Sequence, residues 1–297
     1  MSSIVDKQPA VPDAARLPAA FKKRPKHPAT RAYGLFRVLA LVIIVLTFLA
    51  PLVWMVLSSL KTNVDIYDPT AAFVFSPTLQ NYETVFGQAS YLQYIFNSFW
   101  IGIWATVLSM ILGVPAAYSM SRFVMKKSAA VVLMARIIPG VSLLVPWYFV
   151  FSNLGLVGGY SVLILSHMFV LLPLFVYIMM SFFDSLPLEL EEQGQVDGLT
   201  PIGAFLRIAL PLSVPGIATA SILSFIFSWN NFMFALVLSG SSTKTLPVAI
   251  FDFVAYASID WGGLMAAAVI ITVPIMVIAL FTQKYIVSGL TAGATKG

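Results

Sequence analysis

Apolar residues gather into six nearly continuous stretches along this chain, and polar residues fill the gaps. The stretches are Val38 to Leu57, Ile95 to Tyr118, Ala129 to Val150, Tyr160 to Phe182, Val214 to Leu238 and Leu264 to Phe281. A helix needs roughly 20 apolar residues to cross the hydrocarbon core, and a barrel strand about half that. These lengths therefore predict six transmembrane helices and an all-α integral membrane protein. Only the third stretch holds a charge, Arg136. Such a charge costs about 2.5–3.5 kcal/mol at a helix centre, so snorkelling or a carbonyl partner is expected for it. Each stretch contains proline, at Pro51, Pro115, Pro139 with Pro146, Pro173, Pro215 and Pro274. Proline removes a helix hydrogen bond and bends the axis, which a membrane tolerates where neighbours or water satisfy the freed carbonyl.

Composition agrees. Of 297 residues, 59% are hydrophobic and 10% charged, against about 25% charged in a soluble domain. The positive charges set an orientation, because basic residues stay on the cytoplasmic side. Lys7, Arg16, Lys22, Lys23, Arg24, Lys26, Arg31 and Arg37 crowd the N-terminus. Arg122, Lys126 and Lys127 lie between stretches two and three, and Lys284 and Lys296 near the C-terminus. Lys61 and Lys244 are alone on the other side. Both termini, and the loop between stretches four and five, are expected in the cytoplasm. Residues 1–34 read as a disordered basic tail that anchors topology rather than a nucleic-acid arm, with no cleavable signal. Residues 35–297 read as the membrane domain. The absence of cysteine excludes thiolate chemistry and disulfides.

The loop at 184–211 departs from this pattern. Asp184, Glu189, Glu191, Glu192 and Asp197 fall close together in a chain with only 12 carboxylates. Ser185 is a candidate N-cap and Pro187 suits a first turn, so a short acidic helix is expected. Asp197-Gly198 breaks it, with glycine free to take positive φ. Thr200-Pro201 restarts a helix whose Ile202, Phe205, Leu206 and Ala209 share one face. Leu210-Pro211 ends it. A helix this short is marginal alone, and the anionic cytoplasmic leaflet repels acidic segments. A protein partner is therefore expected to hold it.

The chemistry along the chain suits a passive subunit. No G-x-x-x-x-G-K-[ST] occurs, and "GSSTKT" at 240–245 lacks the Gly-Lys pair, so ATP hydrolysis is not expected here. The stretches carry no carboxylate, as an ion-coupled carrier would need. A membrane enzyme ranks below both, since no H-E-x-x-H or G-x-S-x-G is present. His167 and His27 form no metal pair. Neutral and aromatic residues remain as candidates for a solute path. They are Asn97, Trp100, Trp104, Trp147, Tyr148, Tyr177, Ser224, Ser228, Trp229, Asn230 and Asn231, with the two adjacent amides deepest in a stretch.

The loop sequence E-Q-G-Q-V-D-G-L-T-P-I-G-A-F-L-R-I-A-L-P, from Glu192 to Pro211, resembles the coupling loop of ABC-importer permeases of the maltose type. It has Gln193 and Gly194 where that family has two alanines, and Leu199 in place of alanine. "SLKTNVDIYD", "RIIPGVSLLVPWYFVFSNLGLVGGY", "SWNNFMFALVLSG" and "IVSGLTAGATKG" are similar to other segments of that family, and the likeness covers residues 35–297. It implies a type I importer fold and a carbohydrate-importing permease. The partners it implies are a second permease, two ATPase copies that bind ATP and Mg, and an external solute-binding protein. This chain would hold no cofactor and do no catalysis. Glu192, Asp197, Gly198, Phe205, Leu210 and Pro211 would couple to an ATPase. The tail 289–297 would touch the ATPase pair, and the loop 241–261 would face the binding protein. An ion-coupled carrier or channel for a neutral solute is the alternative.

Overall fold

The computed structural model describes residues 28–88, 90–254 and 259–291, and the side chains of all of these except 28–32, 126 and 284–291. The basic tail up to Lys26, residues 255–258 of the loop before the last stretch, and 292–297 of the C-terminal tail lie outside the described residues. The chain divides into two compact units, Met1–Leu52 and Val53–Gly297.

Helices account for the described architecture. They are α1 (Pro28–Ser59), α2 (Asn63–Tyr67), α3 (Gln80–Gly87), α4 (Tyr91–Arg122), α5 (Lys126–Ala135), α6 (Leu144–Asn153), α7 (Tyr160–Phe183), α8 (Glu189–Val196), α9 (Pro201–Ala204), α10 (Leu210–Leu212), α11 (Val214–Trp229), α12 (Met233–Leu238), α13 (Leu246–Ala249) and α14 (Trp261–Thr291). Four are long enough and apolar enough to cross a membrane alone: Tyr33–Ser59, Tyr91–Arg122, Tyr160–Phe183 and Trp261–Gln283.

The other two expected spans are broken, which refines the sequence reading. The third bends by 83° between Lys127–Ala135 and Gly140–Asn153. Ile138 precedes Pro139, and the residue before proline is pushed out of the α region. The fifth meets the helix before it, Pro201–Leu212, at 69°. It also stops at Trp229 and resumes at Met233, so Asn230 and Asn231 lie in a gap between helices rather than deep in one.

α4 and α7 form the central pair, with α11 against both. In lipid no hydrophobic drive pulls helices together, and small residues let backbones close in. Gly113 of α4 faces Phe175 of α7, where a Cβ would stand 2.8 Å from the ring. Gly102 of α4 faces Phe225 of α11, where a Cβ would come within 2.9 Å. Gly216 of α11 faces Phe182, with 2.5 Å for a Cβ. At one end of the unit, Val114, Phe175, Met179, Phe183 and Ala209 bury together. At the other, Ile101, Leu163, Phe234 and Leu238 do.

The loops at the second end are tightly held. Thr62 caps α2 in a reciprocal box with Asp65. The Thr70 hydroxyl and amide bonds hold the Asp68 carboxyl below the usual carboxylate range. Lys61, a loop charge by sequence, is only 1% exposed. Its Nζ lies 4.8 Å from the ring centres of both Trp54 and Phe75 and donates to Ala72 O at 2.7 Å.

Candidate functional site

The acidic loop folds into an elbow of short helices. Gly198 turns the chain at φ 94°, as its position after α8 predicts. Thr200 sits at φ −70°, ψ 161° and its hydroxyl accepts from Gly203 N at 3.1 Å, with Pro201 opening α9. The start of α8 differs from expectation. Ser185 does not cap it, because its hydroxyl bonds backward to Phe182 O at 2.6 Å and finishes α7 instead. α8 begins at Glu189 with no side-chain cap.

The expected apolar face of the second arm is also corrected. Residues Phe205–Ala209 wind as a π-helix between α9 and α10, and its wider turn shifts the register of the stripe. Ala204, Phe205, Ile208 and Ala209 turn inward, while Ile202 and Leu206 are 72% and 52% exposed. Ile208 packs over Gly194, the residue that stands where the resembled loops carry alanine. A Cβ there would collide with the end of the Ile208 side chain, so the missing methyl at 194 and the bulk at 208 fit each other.

Glu191 carries a role that sequence reading missed. It is 3% exposed. Arg122, at the last turn of α4, meets it with Nη2 at 2.7 Å and Nε at 2.8 Å. Tyr118, one turn earlier on α4, donates its hydroxyl to the other carboxylate oxygen at 2.5 Å. Arg122 also donates to Phe183 O at 2.9 Å. One guanidinium thus joins the ends of α4 and α7 to α8. Ser121 adds a bond to Asp184 at 2.5 Å. A short acidic helix is therefore held from within the chain, and the inference that only a partner could hold it is overturned. The signal in the sequence was Arg122 itself, which read only as a topology charge because its partner is 69 residues away.

With Glu191 and Gly194 inside, α8 presents Glu189, Glu192, Gln193, Val196 and Asp197 as one open, concave patch. Val196, in the middle, is 88% exposed. Of the six residues assigned to coupling, Glu192, Asp197, Gly198 and Pro211 are exposed. Phe205 and Leu210 are half-buried and pack inward, Phe205 lying 4.5 Å from the Tyr118 ring.

The candidate path residues scatter. Trp229 is 1% exposed, ringed by Phe99 and Phe225, and donates to Ile271 O at 3.1 Å, so it is a core residue. Asn97 is fully buried and clamps the loop after α12, donating to Ser242 O at 3.0 Å and Lys244 O at 2.8 Å. Asn97→Ala should leave both carbonyls without that donor and cost about 1–3 kcal/mol. A lowered melting temperature of the purified complex checks this, and Asn97→Asp, which turns a buried carboxylate toward both carbonyls, should lower it further. Asn230 closes α11 with a bond to Ile226 O at 2.9 Å, and Asn231 caps α12 through Phe234 N at 3.2 Å. Trp147 stacks within a cluster of Phe151, Phe169 and Phe234. Ser228 bonds buried His167 at 2.7 Å, which joins α7 to α11. Trp100, Trp104, Tyr148 and Tyr177 are exposed. Arg136 caps α5 at the 83° bend. A helix C-terminus returns at most about 2 kcal/mol to a cation, less than the cost of its depth.

Broken membrane helices around a packed central pair, with an anchored elbow at one end and a clamped loop at the other, define a multi-pass membrane subunit. The sequence profile of the family described as binding-protein-dependent transport system inner membrane component matches residues 109–292. The chain belongs to that family. It is 35% identical over 266 residues to the sulfoquinovosyl glycerol transport system permease protein of Agrobacterium fabrum, covering 88% of this chain and 93% of that protein. It is 35% identical over 255 residues to the trehalose transport system permease protein of Mycobacterium tuberculosis, covering 84% and 93%. Its fold matches a chain from the crystal structure of a bacterial ABC transporter that imports the acidic polysaccharide alginate. There the TM-score is 0.75 at 18% identity, over 87% of this chain and 98% of the other. It is an ABC importer permease of the type I fold.

Proposed function

We propose that this permease carries a carbohydrate, and that the α8–α10 elbow is where ATP-driven motion enters the chain. The observation that carries the coupling reading is the split personality of α8. Its Glu191 edge is tied to α4 and α7, while its Glu192–Val196–Asp197 edge is open and shaped like a contact surface. Force applied to the open edge passes through Arg122 into two transmembrane helices. The carbohydrate reading is supported by the relatives, whose names specify sulfoquinovosyl glycerol and trehalose.

In this reading residues 35–297 are the permease domain, the elbow and both termini are cytoplasmic, and a second permease completes the pathway. Two ATPase copies bind ATP and Mg beneath, and an external binding protein delivers the sugar. The clamped loop beyond α12 is the surface toward that protein. Purification with its neighbours should yield one partner permease and two ATPase copies, whereas a stable, transporting homodimer rejects the assembly. Glu192 is exposed, and surface substitutions usually change stability by less than about 0.5 kcal/mol. Glu192→Lys should therefore leave melting unchanged while reducing co-purification of the ATPase and abolishing uptake. Normal ATP hydrolysis stimulated by the binding protein in that variant counts against docking at α8.

A further inference from the structure

Arg136 is the single charge within the six apolar stretches. It stands seven residues into the third stretch, a rise of about 10 Å from Ala129. Phe169 and Pro173 lie midway along α7. Arg136 is exposed, and its guanidinium makes no hydrogen bond or ion pair with any described residue. Its own helix terminus does not offset its depth.

The space beside it explains the cost. Arg136 opens on a cavity of about 250 Å³ with Ile138, Gly140, Phe169, Pro173 and Phe227 among its walls. Irregular backbone at membrane depth persists only in protein or along a cavity, and the bend at 136–140 forms one side of this one. Every other side chain in the lining is apolar. A guanidinium offers donors in a fixed fork and accepts nothing. Such a site takes a molecule with paired oxygen acceptors on one edge and a C–H face on the other. A sugar ring has both, and the volume admits one ring rather than an oligosaccharide.

We propose that the cavity at the α5–α6 bend is a single-ring sugar subsite, with Arg136 holding ring and hydroxyl oxygens and Phe169 and Phe227 covering the apolar face. The subsite rests on the carbohydrate reading above. It makes Arg136 a specificity-determining residue, since no other lining side chain can orient the ring. An acidic ring binds the fork as an ion pair and a neutral ring by hydrogen bonds, and the assay separates the two.

This chain contains no cysteine, so Ile138→Cys places a single reporter thiol in the cavity. In the full complex, trehalose or sulfoquinovosyl glycerol should slow its labelling by a charged maleimide several-fold. Adding Arg136→Leu should remove that protection. Arg136→Leu should also lower maximal uptake about tenfold, with ATP hydrolysis stimulated by the binding protein unchanged. Phe227→Leu should lower uptake about threefold. Arg136→Lys keeps the charge without the fork and should change the ratio of the two uptake rates. An assembled Arg136→Leu complex that transports both sugars at the wild-type rate overturns the subsite. So does protection that persists without Arg136. Wild-type uptake of neither sugar, nor of any other in a broad panel, overturns the carbohydrate reading, and the subsite falls with it.

Discussion

Replacing Arg122 with alanine is expected to abolish transport while leaving the helices in the membrane. The substitution strands Glu191, whose side chain is 4% exposed, and breaking a buried ion pair costs about 3–5 kcal/mol. That is on the order of a 10²–10⁴-fold shift away from the docked elbow. The loss falls on the elbow because Arg122 sits at its root, whereas α4, α7 and α11 keep their own packing through Gly113, Phe175 and Gly102. Uptake and stimulated ATP hydrolysis, measured on complexes matched for membrane content, report the effect. Glu191→Gln keeps the shape and should be milder. Replacing both partners by apolar residues of similar volume is often neutral, so Arg122→Met with Glu191→Leu should recover much of the activity that each single change loses. Wild-type uptake by Arg122→Ala alone would falsify the view that this pair carries motion into the bundle.

Gly198→Pro should uncouple the transporter as completely, for a different reason. Gly198 sits at φ 94°, and its amide donates to Gln195 O at 3.0 Å. Proline fixes φ near −65° and has no amide hydrogen, so the turn between α8 and α9 cannot form. Alanine isolates the conformational part. No atom lies within 4 Å of an added Cβ, so only the left-handed backbone is penalised, by roughly 1–2 kcal/mol. Gly198→Ala should therefore retain partial uptake and Gly198→Pro none, with both chains inserted to the normal level. Stimulation of ATP hydrolysis that survives intact in Gly198→Pro would sink the docking role of the elbow, whatever happens to uptake.

Much of the site was legible from local sequence. Thr200-Pro201 and Gly198 behave as their chemistry requires, because a cap and a positive-φ turn depend on neighbours a few residues away. Reading failed where a group chose another local partner, where the helical period changed, or where a distant partner decided. Ser185 turned back to close α7 instead of opening α8. Phe205 and Ala209 went inward without Ile202 and Leu206, because a π turn changed the helical period. Asn97 and Trp229 looked like path residues by type, yet their polar groups are spent on Ser242, Lys244 and Ile271.

The sequence by itself determined that this chain lives in a membrane, how many times its apolar stretches can cross, and that an acidic elbow separates the fourth from the fifth. Those properties follow from transfer free energy and from backbone limits at glycine and proline, which act residue by residue. Only the tertiary structure decided that Glu191 points inward to Arg122, that two spans are broken, and that Arg136 opens on a cavity. The ion pair and the cavity bring together segments distant in the chain, and the size of each bend is set by the surfaces that meet around it, although Pro139 marks where one of them falls.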